Sequence, residues 1–337
     1  MLRRWWILGQ DREYRTERSL AIYLFFLILV VSGEWLLADN FWLTDAINMS
    51  PQILYMMPGF LILGLALLRR RWLSASITMS LLGVSFFWFI GWSTGPGARA
   101  NESERTPDTL RVMTYNVNGY ENGEQNIAAM IDYMQPDIVF LQEADNYECD
   151  RLHANRFKAA LKHYAVVFEG QIGIATNGKV VRRWSLPLIN NDAVRPIQYA
   201  EIMVRGHKYT VANLHGRPQW YKFTIESGTY ATKLSRFGKQ NLEQTRQLLR
   251  DTPRDAIIGG DFNHSPRGIA YHEMREQYQN AFEVAGKGWG YTLIPSFPVQ
   301  RIDHIWVPKS MKVLRAWVPQ VFTSDHLAVV ADIALPR

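Results

Sequence analysis

A chain of 337 residues has room for one large domain and a second region, and its single cysteine, Cys149, excludes an internal disulfide framework and any cysteine-rich zinc site. The formal net charge is +6, and from Arg111 onward 27 Lys and Arg stand against 22 Asp and Glu. That mild excess admits an anionic substrate such as a phosphodiester, but it is far too small to diagnose a nucleic-acid binder.

Residues 1–18 are polar and carry five arginines, Arg3, Arg4, Arg12, Arg15 and Arg18. Three apolar stretches follow, at about 19–38, 51–68 and 72–92. Each approaches the ~20 residues with which a helix crosses ~30 Å of hydrocarbon. They lack the polar stripe of a globular helix and predict three transmembrane helices within 19–94. A cleaved signal peptide fits poorly, because the polar leader is long and two more apolar stretches follow. The 39–50 loop has Asp39 and Asp45 but no Lys or Arg, whereas the next turn is Arg69, Arg70, Arg71. The positive-inside rule therefore predicts a cytoplasmic leader and a multi-pass protein of the cell (inner) membrane. Three crossings put the remainder on the exocytoplasmic side, periplasmic or extracellular. Residues 95–109, rich in Gly, Pro and charge, read as a linker to a domain over 110–337.

That domain alternates short apolar runs with helical patterns. Strands are expected at 111–117, 137–143, 164–168, 172–176, 179–184, 198–204 and 208–214, then near 302–307, 312–318 and 326–334. Helices are expected near 124–135, 154–162, 239–251 and 268–278, with another strand entering Asp261. More than ten strands with interleaved helices predict a mixed α/β domain on two sheets. The segment 220–241, WYKFTIESGTYATKLSRFGKQN, reads equally as a substrate-facing loop or a solvated excursion.

Polar residues recur where the apolar runs end: Asn116, Glu143, Asn213 and His215, Asp261 and Asn263, Asp303 and His304, Asp325 and His326. Buried runs that end repeatedly in such groups are costly unless the groups pair or hold a metal. A shared site is the economical explanation. Its oxygen-rich character favours a hard cation, Mg²⁺ or Mn²⁺, over zinc. His304 is expected to point away from Asp303 on its strand, Asn213 to share the face of His215, and His264 and His207 to be solvated.

The blocks TYNVNG, PDIVFLQEAD, VANLHGRP, IIGGDFNHSP, RIDHIWVP and TSDHLAVV, in this order over 110–336, resemble the endonuclease/exonuclease/phosphatase family. The resemblance implies a deoxyribonuclease I-like four-layer α/β sandwich and Mg²⁺-dependent (Mn²⁺ an alternative) hydrolysis of phosphoesters by in-line attack of water. It implies Glu143 as principal metal ligand, with Asn116 on metal or phosphate and Asp325 as a further metal-side carboxylate. Asp261 and Asn263 would orient the water and the phosphate, His326 would pair with Asp303, and His215 would be a second histidine on the phosphate. Either His326 or Asp261 could take the water's proton.

The leading expectation is a membrane-anchored phosphodiesterase or phosphatase acting on a lipid headgroup, a nucleic acid or a small phosphoester. A tethered DNA or RNA nuclease is the alternative enzyme, and a catalytically silent binding module the alternative from another class. No protein partner is expected.

Overall fold

The computed structural model describes residues 2–89, 91–98, 108–144, 152–188, 192–218, 229–296 and 299–336. Cys149, residues 99–107 of the expected linker and residues 220–228 of the 220–241 segment lie outside these.

The polar leader does not stand apart from the first apolar stretch. Both form one helix, α1 (Leu2–Leu36), followed by a 3₁₀ turn at 38–40 and a short helix α2 (Trp42–Met49). Then come α3 (Ile53–Leu68) and α4 (Trp72–Phe89). Arg15–Leu36 and Trp72–Phe89 are each long and apolar enough to cross a membrane, and α2 with α3, bent by 76°, makes a third if the pair is one span. Their outward apolar side chains, among them Phe25, Leu61 and Leu73, stay exposed on the protein. Gly59 sits where the helices meet: a Cβ there would come within 2.9 Å of Tyr23 and Leu82.

The rest of the chain runs β1 (Ser93–Thr94), β2 (Thr109–Asn116), α5 (Glu124–Met134), β3 (Ile138–Gln142), α6 (Leu152–Ala160), β4 (Ala165–Glu169) and β5 (Ile172–Thr176). It continues through β6 (Lys179–Leu188), β7 (Asp192–Val204), β8 (His207–His215), α7 (Thr229–Asp251), β9 (Ile257–Asp261), α8 (Ile269–Gln277), β10 (Tyr278–Asn280) and α9 (Ala281–Ala285). The last elements are β11 (Lys287–Gly288), β12 (Asp303–Pro308), β13 (Val313–Trp317) and β14 (Val329–Ala334).

Two six-stranded sheets, ordered β13-β14-β2-β3-β5-β4 and β10-β12-β9-β8-β7-β6, face each other. Side-chain parity explains the layers, since successive strand residues point to opposite faces. Val112, Ile138 and Phe140 meet Ile202, Val211, Ile257 and Ile305 between the sheets. The alternate residues Met113, Val139 and Leu141 pack outward on Ile127, Ile131 and Phe157 of α5 and α6. On the other side Tyr199, Ala212, Ile258 and Trp306 pack outward on Leu248, Tyr271 and Met274 of α7 and α8. Helix, sheet, sheet, helix is the expected four-layer sandwich. Strands buried on both faces read as unbroken apolar runs, which is why β3 and β9 show no polar alternation.

The glycines of β9 do not end the strand; Gly259 lets the sheets approach. A Cβ at Gly259 would stand 1.9 Å from the Phe140 ring across the interface. The start of the segment expected as a linker is also docked: β1 just before it pairs antiparallel with β11, and the Gly97 amide within it donates to the Ala285 carbonyl. The 220–241 segment is not all loop either, since α7 begins at Thr229 rather than near 239.

Candidate active site

Parity also assembles the site. Asn116 extends the inward-facing set of β2, His215 that of β8, Asp261 that of β9 and Asp303 that of β12. Register then aligns them: His215 pairs with Asp261 across the parallel β8 and β9, and Asp303 with Asp261 across the antiparallel β9 and β12. Three ionisable groups therefore stand side by side at one end of the inter-sheet space. Glu143 and Asn263, each just past a strand end, have φ of 52° and 51°, in the left-handed region. Such backbone in non-glycine residues is uncommon and clusters at functional sites.

Asn116 joins the two sheets. Its Nδ2 donates to Glu143 Oε1 at 3.1 Å and to Asp261 Oδ2 at 3.0 Å, and its Oδ1 accepts from the Asn118 amide at 3.0 Å. Asp261 Oδ1 accepts from the Asn263 amide at 2.9 Å, while Asn263 Nδ2 donates to the Gly216 carbonyl at 3.1 Å. His326 Nδ1 lies 2.9 Å from Asp303 Oδ2. Its Nε2 faces Asp261 Oδ2 at 3.9 Å. His215 Nε2 lies 3.6 Å from Glu143 Oε1 and 3.7 Å from Asp261 Oδ2. Asn116, His215, Asn263, Asp261, Asp303 and His326 are buried; Glu143 is partly open and Asp325 exposed, so these two mark the mouth.

Burial and charge set the protonation states. Burial raises the Asp261 carboxyl, Asp303 raises it further, and His326, Asn116 and the Asn263 amide only partly offset this. Burial opposes charge on His326, but Asp303 outweighs it by charge and hydrogen bond, and Asp261 and Asp325 add to it, so its pKa rises to about 10. His215 is driven well below its ordinary value, by burial first and then by Arg195 and His326. It is a neutral imidazole, so it offers an N–H rather than a charge.

The donor set fits a divalent cation. Asp303 Oδ1 and both ring nitrogens of His215 are buried without a hydrogen-bond partner among the described residues. The ligand atoms of Asp261, Asp303 and His326 lie within 4.8 Å of one another. That trio differs from the expected metal set of Glu143, Asn116 and Asp325. Asn116 turns its amide nitrogen toward the carboxylates, which positions Glu143 and Asp261. Asp325 sits on the rim, its Oδ1 3.2 Å from Ser324 Oγ.

Other expected residues find structural places. Asn213 clamps the sheets: its Nδ2 donates to the Leu141 and Gly173 carbonyls and its Oδ1 accepts from Gln142 Nε2 at 2.8 Å. His304 points to the outer face among Phe262, Tyr271 and Trp306, as expected. His264 is not solvated; it is buried in the same aromatic group, T-shaped against Phe262 and Tyr271. Two supporting residues carried no sequence signal. Ser324 Oγ donates to the Asn116 carbonyl at 2.8 Å, tying the His326 segment to β2. Arg195 Nη1 donates to the Gly216 carbonyl at 2.8 Å, beside Asn263.

No curated protein sequence matches this chain. Solved structures do. An endonuclease/exonuclease/phosphatase family protein from Bacteroides thetaiotaomicron superposes with a TM-score of 0.53 at 20% identity, covering 69% of this chain and 100% of that one. A mannosyl-6-phosphatase from the same organism gives 0.51 at 20% identity, over 66% and 99%. The human Nocturnin catalytic domain, solved with a bound sulfate anion, gives 0.50 at 18% identity, over 68% and 94%. At these identities the likeness shows a shared fold. The sequence profile of the Endonuclease/Exonuclease/phosphatase family matches residues 113–326, a span that begins in β2 and ends at His326. The chain therefore belongs to the endonuclease/exonuclease/phosphatase family.

Proposed function

We propose that this protein is a membrane-anchored, divalent-cation-dependent phosphoesterase that hydrolyses a phosphodiester or phosphomonoester by in-line attack of water. The observation that carries the reading is the convergence of Glu143, Asp261 and Asp303 with two imidazoles at one strand end, with buried donor atoms left unpartnered. Mg²⁺ or Mn²⁺, held by the Glu143 carboxylate or by those of Asp261 and Asp303, would neutralise the non-bridging phosphate oxygens. Asp261, raised toward neutrality, suits the base that takes the water's proton at Oδ2. His326, kept cationic by Asp303, suits a donor from Nε2 to a phosphate oxygen as charge develops. Asn263 orients the phosphate, and His215 offers its N–H to the same group.

The N-terminal region is read as leader 1–18, three spans and a short connection to the catalytic domain at 110–337. Contacts support placing the 38–52 loop and the domain on one side of the membrane. Arg267 Nη1 meets Glu34 Oε1 at 2.8 Å, and the Ala270 amide donates to Asp39 Oδ2 at 2.9 Å. At the other end of the helices Arg69 Nη1 donates to Thr16 Oγ1 at 3.0 Å, which joins the arginine turn to the leader. With the positive-inside rule this favours an exocytoplasmic domain. A site bolted to the span ends favours a phosphoester met at the bilayer surface, and a tethered nuclease remains the second reading.

The test is hydrolysis by the full chain in detergent against DNA, RNA, phospholipids and sugar phosphates, with Mg²⁺, Mn²⁺ or EDTA. Cation-dependent cleavage that is lost in Glu143→Ala supports the reading and picks the substrate. A folded chain inert on every substrate moves it to the binding module.

A further inference from the structure

A second polar cavity lies at the junction of membrane helices and catalytic domain, away from the carboxylates of the hydrolytic site. It has a volume of about 320 Å³ and is lined by Trp88 and Trp92 at the end of α4, by Glu34 of α1, and by Arg267, Arg275 and Arg301 of the domain. Two of the three arginines are neutralised. Arg267 Nη1 pairs with Glu34 at 2.8 Å, and Arg275 Nε with Glu283 at 3.3 Å.

Arg301 is not. It is 2% exposed, makes no ion pair among the described residues, and its Nε and Nη1 have no hydrogen-bond partner there. Its neighbours are the Phe282 ring, 5.3 Å from the guanidinium carbon, and the Tyr271 hydroxyl. Arg267 Nε is likewise buried and unpartnered. A guanidinium always carries its charge, and burying one without an acceptor is costly. Three unpartnered nitrogens on two arginines call for a compact anion with several acceptor oxygens, and phosphate matches the guanidinium fork.

The position selects the source. Trp88 and Trp92 stand at the end of an apolar helix, at headgroup depth, and Phe87 beside them is 59% exposed along the helix flank. A phospholipid can place its phosphate on Arg301 while its acyl chains follow that flank. We propose that this cavity binds the phosphate of a phospholipid, as a site separate from the hydrolytic one. The inference rests on reading the N-terminal helices as spans, which retention of the chain in carbonate-washed membranes reports independently.

The full chain, purified in neutral detergent, is titrated with dihexanoyl phosphatidylglycerol, with dihexanoylglycerol lacking phosphate, and with inorganic phosphate. Binding is read by native mass spectrometry and by the shift in thermal midpoint. The phospholipid should bind and stabilise, the phosphate-free lipid should do neither, and Arg301→Met should weaken binding about tenfold or more. Glu143→Ala should bind as the wild type does, which separates this site from the hydrolytic one. Arg301→Lys keeps the charge without the fork, should also weaken binding, and carries the test if the methionine variant does not fold. Unchanged affinity in the folded arginine variants, an equal response to the phosphate-free lipid, or no retained phospholipid would overturn the proposal. Inorganic phosphate binding as tightly as the phospholipid would overturn the lipid assignment.

Discussion

Strand β2 has a buried polar cluster at each end, and the two differ in how completely they are satisfied. At its start Arg111 is fully buried, yet its Nε and Nη2 reach both oxygens of Asp332 at 2.7 and 3.1 Å and its Nη1 reaches the Met134 carbonyl at 2.8 Å. Arg315 Nε adds a bond to Asp332 at 2.7 Å, and Asp137 takes the Arg111 amide and Arg205. Trp317 lies between the two guanidinium groups at 5.1 and 5.2 Å. At the strand's other end Asn116 faces Glu143 and Asp261, with Asp303 Oδ1 and the His215 nitrogens left without hydrogen-bond partners among the described residues. Buried charge alone therefore does not mark function. Unsatisfied buried charge does, because only a ligand can complete it.

The comparison is sharpest in crossed variants. Asp261→Asn should lower hydrolysis by about 10²–10⁴-fold, the range of a general base, while leaving the thermal midpoint equal or raised because a strained buried carboxylate is removed. A variant that hydrolyses normally would remove Asp261 from the mechanism. Asp332→Ala should do the reverse. It strands a buried Arg111 and should cost about 3–5 kcal/mol by chemical denaturation, with activity per folded molecule retained. Loss of activity at unchanged stability would erase the distinction between the two ends.

The next effect is in pH. His326 faces Asp303, Asp261 and Asp325, and its folded pKa of about 10 lies above its ordinary 6.5. The stability it contributes is full below about pH 6.5 and is lost as pH rises toward 10, because the unfolded imidazole has already released its proton. With EDTA present, stability should fall across that window and His326→Gln should flatten the fall. Equal slopes in both proteins would contradict the charged pair. The smallest effect is expected at Arg246, whose bidentate pair with Glu273 is half exposed. Arg246→Ala should change stability by less than about 1 kcal/mol.

Much of this was legible in the sequence because period-two parity and strand-end position are local. Asn116, His215, Asp261 and Asp303 were readable from their runs, and Glu143, Asn263 and His326 from their blocks. What was hidden depends on contacts far apart in the chain. Gly259 is required by Phe140 on the opposite sheet, His264 is buried by Tyr271 and Phe262, and Asn116 presents its nitrogen because two carboxylates converge on it. Helix α2 was missed as well. Its Asp45 and Asn48 look like loop residues until they are seen buried beside α7. The early start of α7 was hidden because the apolar spacing of its first turns is interrupted by Lys233, Arg236 and Gly238.

The most direct test of the central claim is to locate Mn²⁺ by anomalous diffraction from crystals of the full chain. The account predicts a peak within coordination distance of Glu143 or of the Asp261, Asp303 and His326 group, and none near Asp332. Saturating Mn²⁺ with no peak at the Asn116 end of the strand would contradict it.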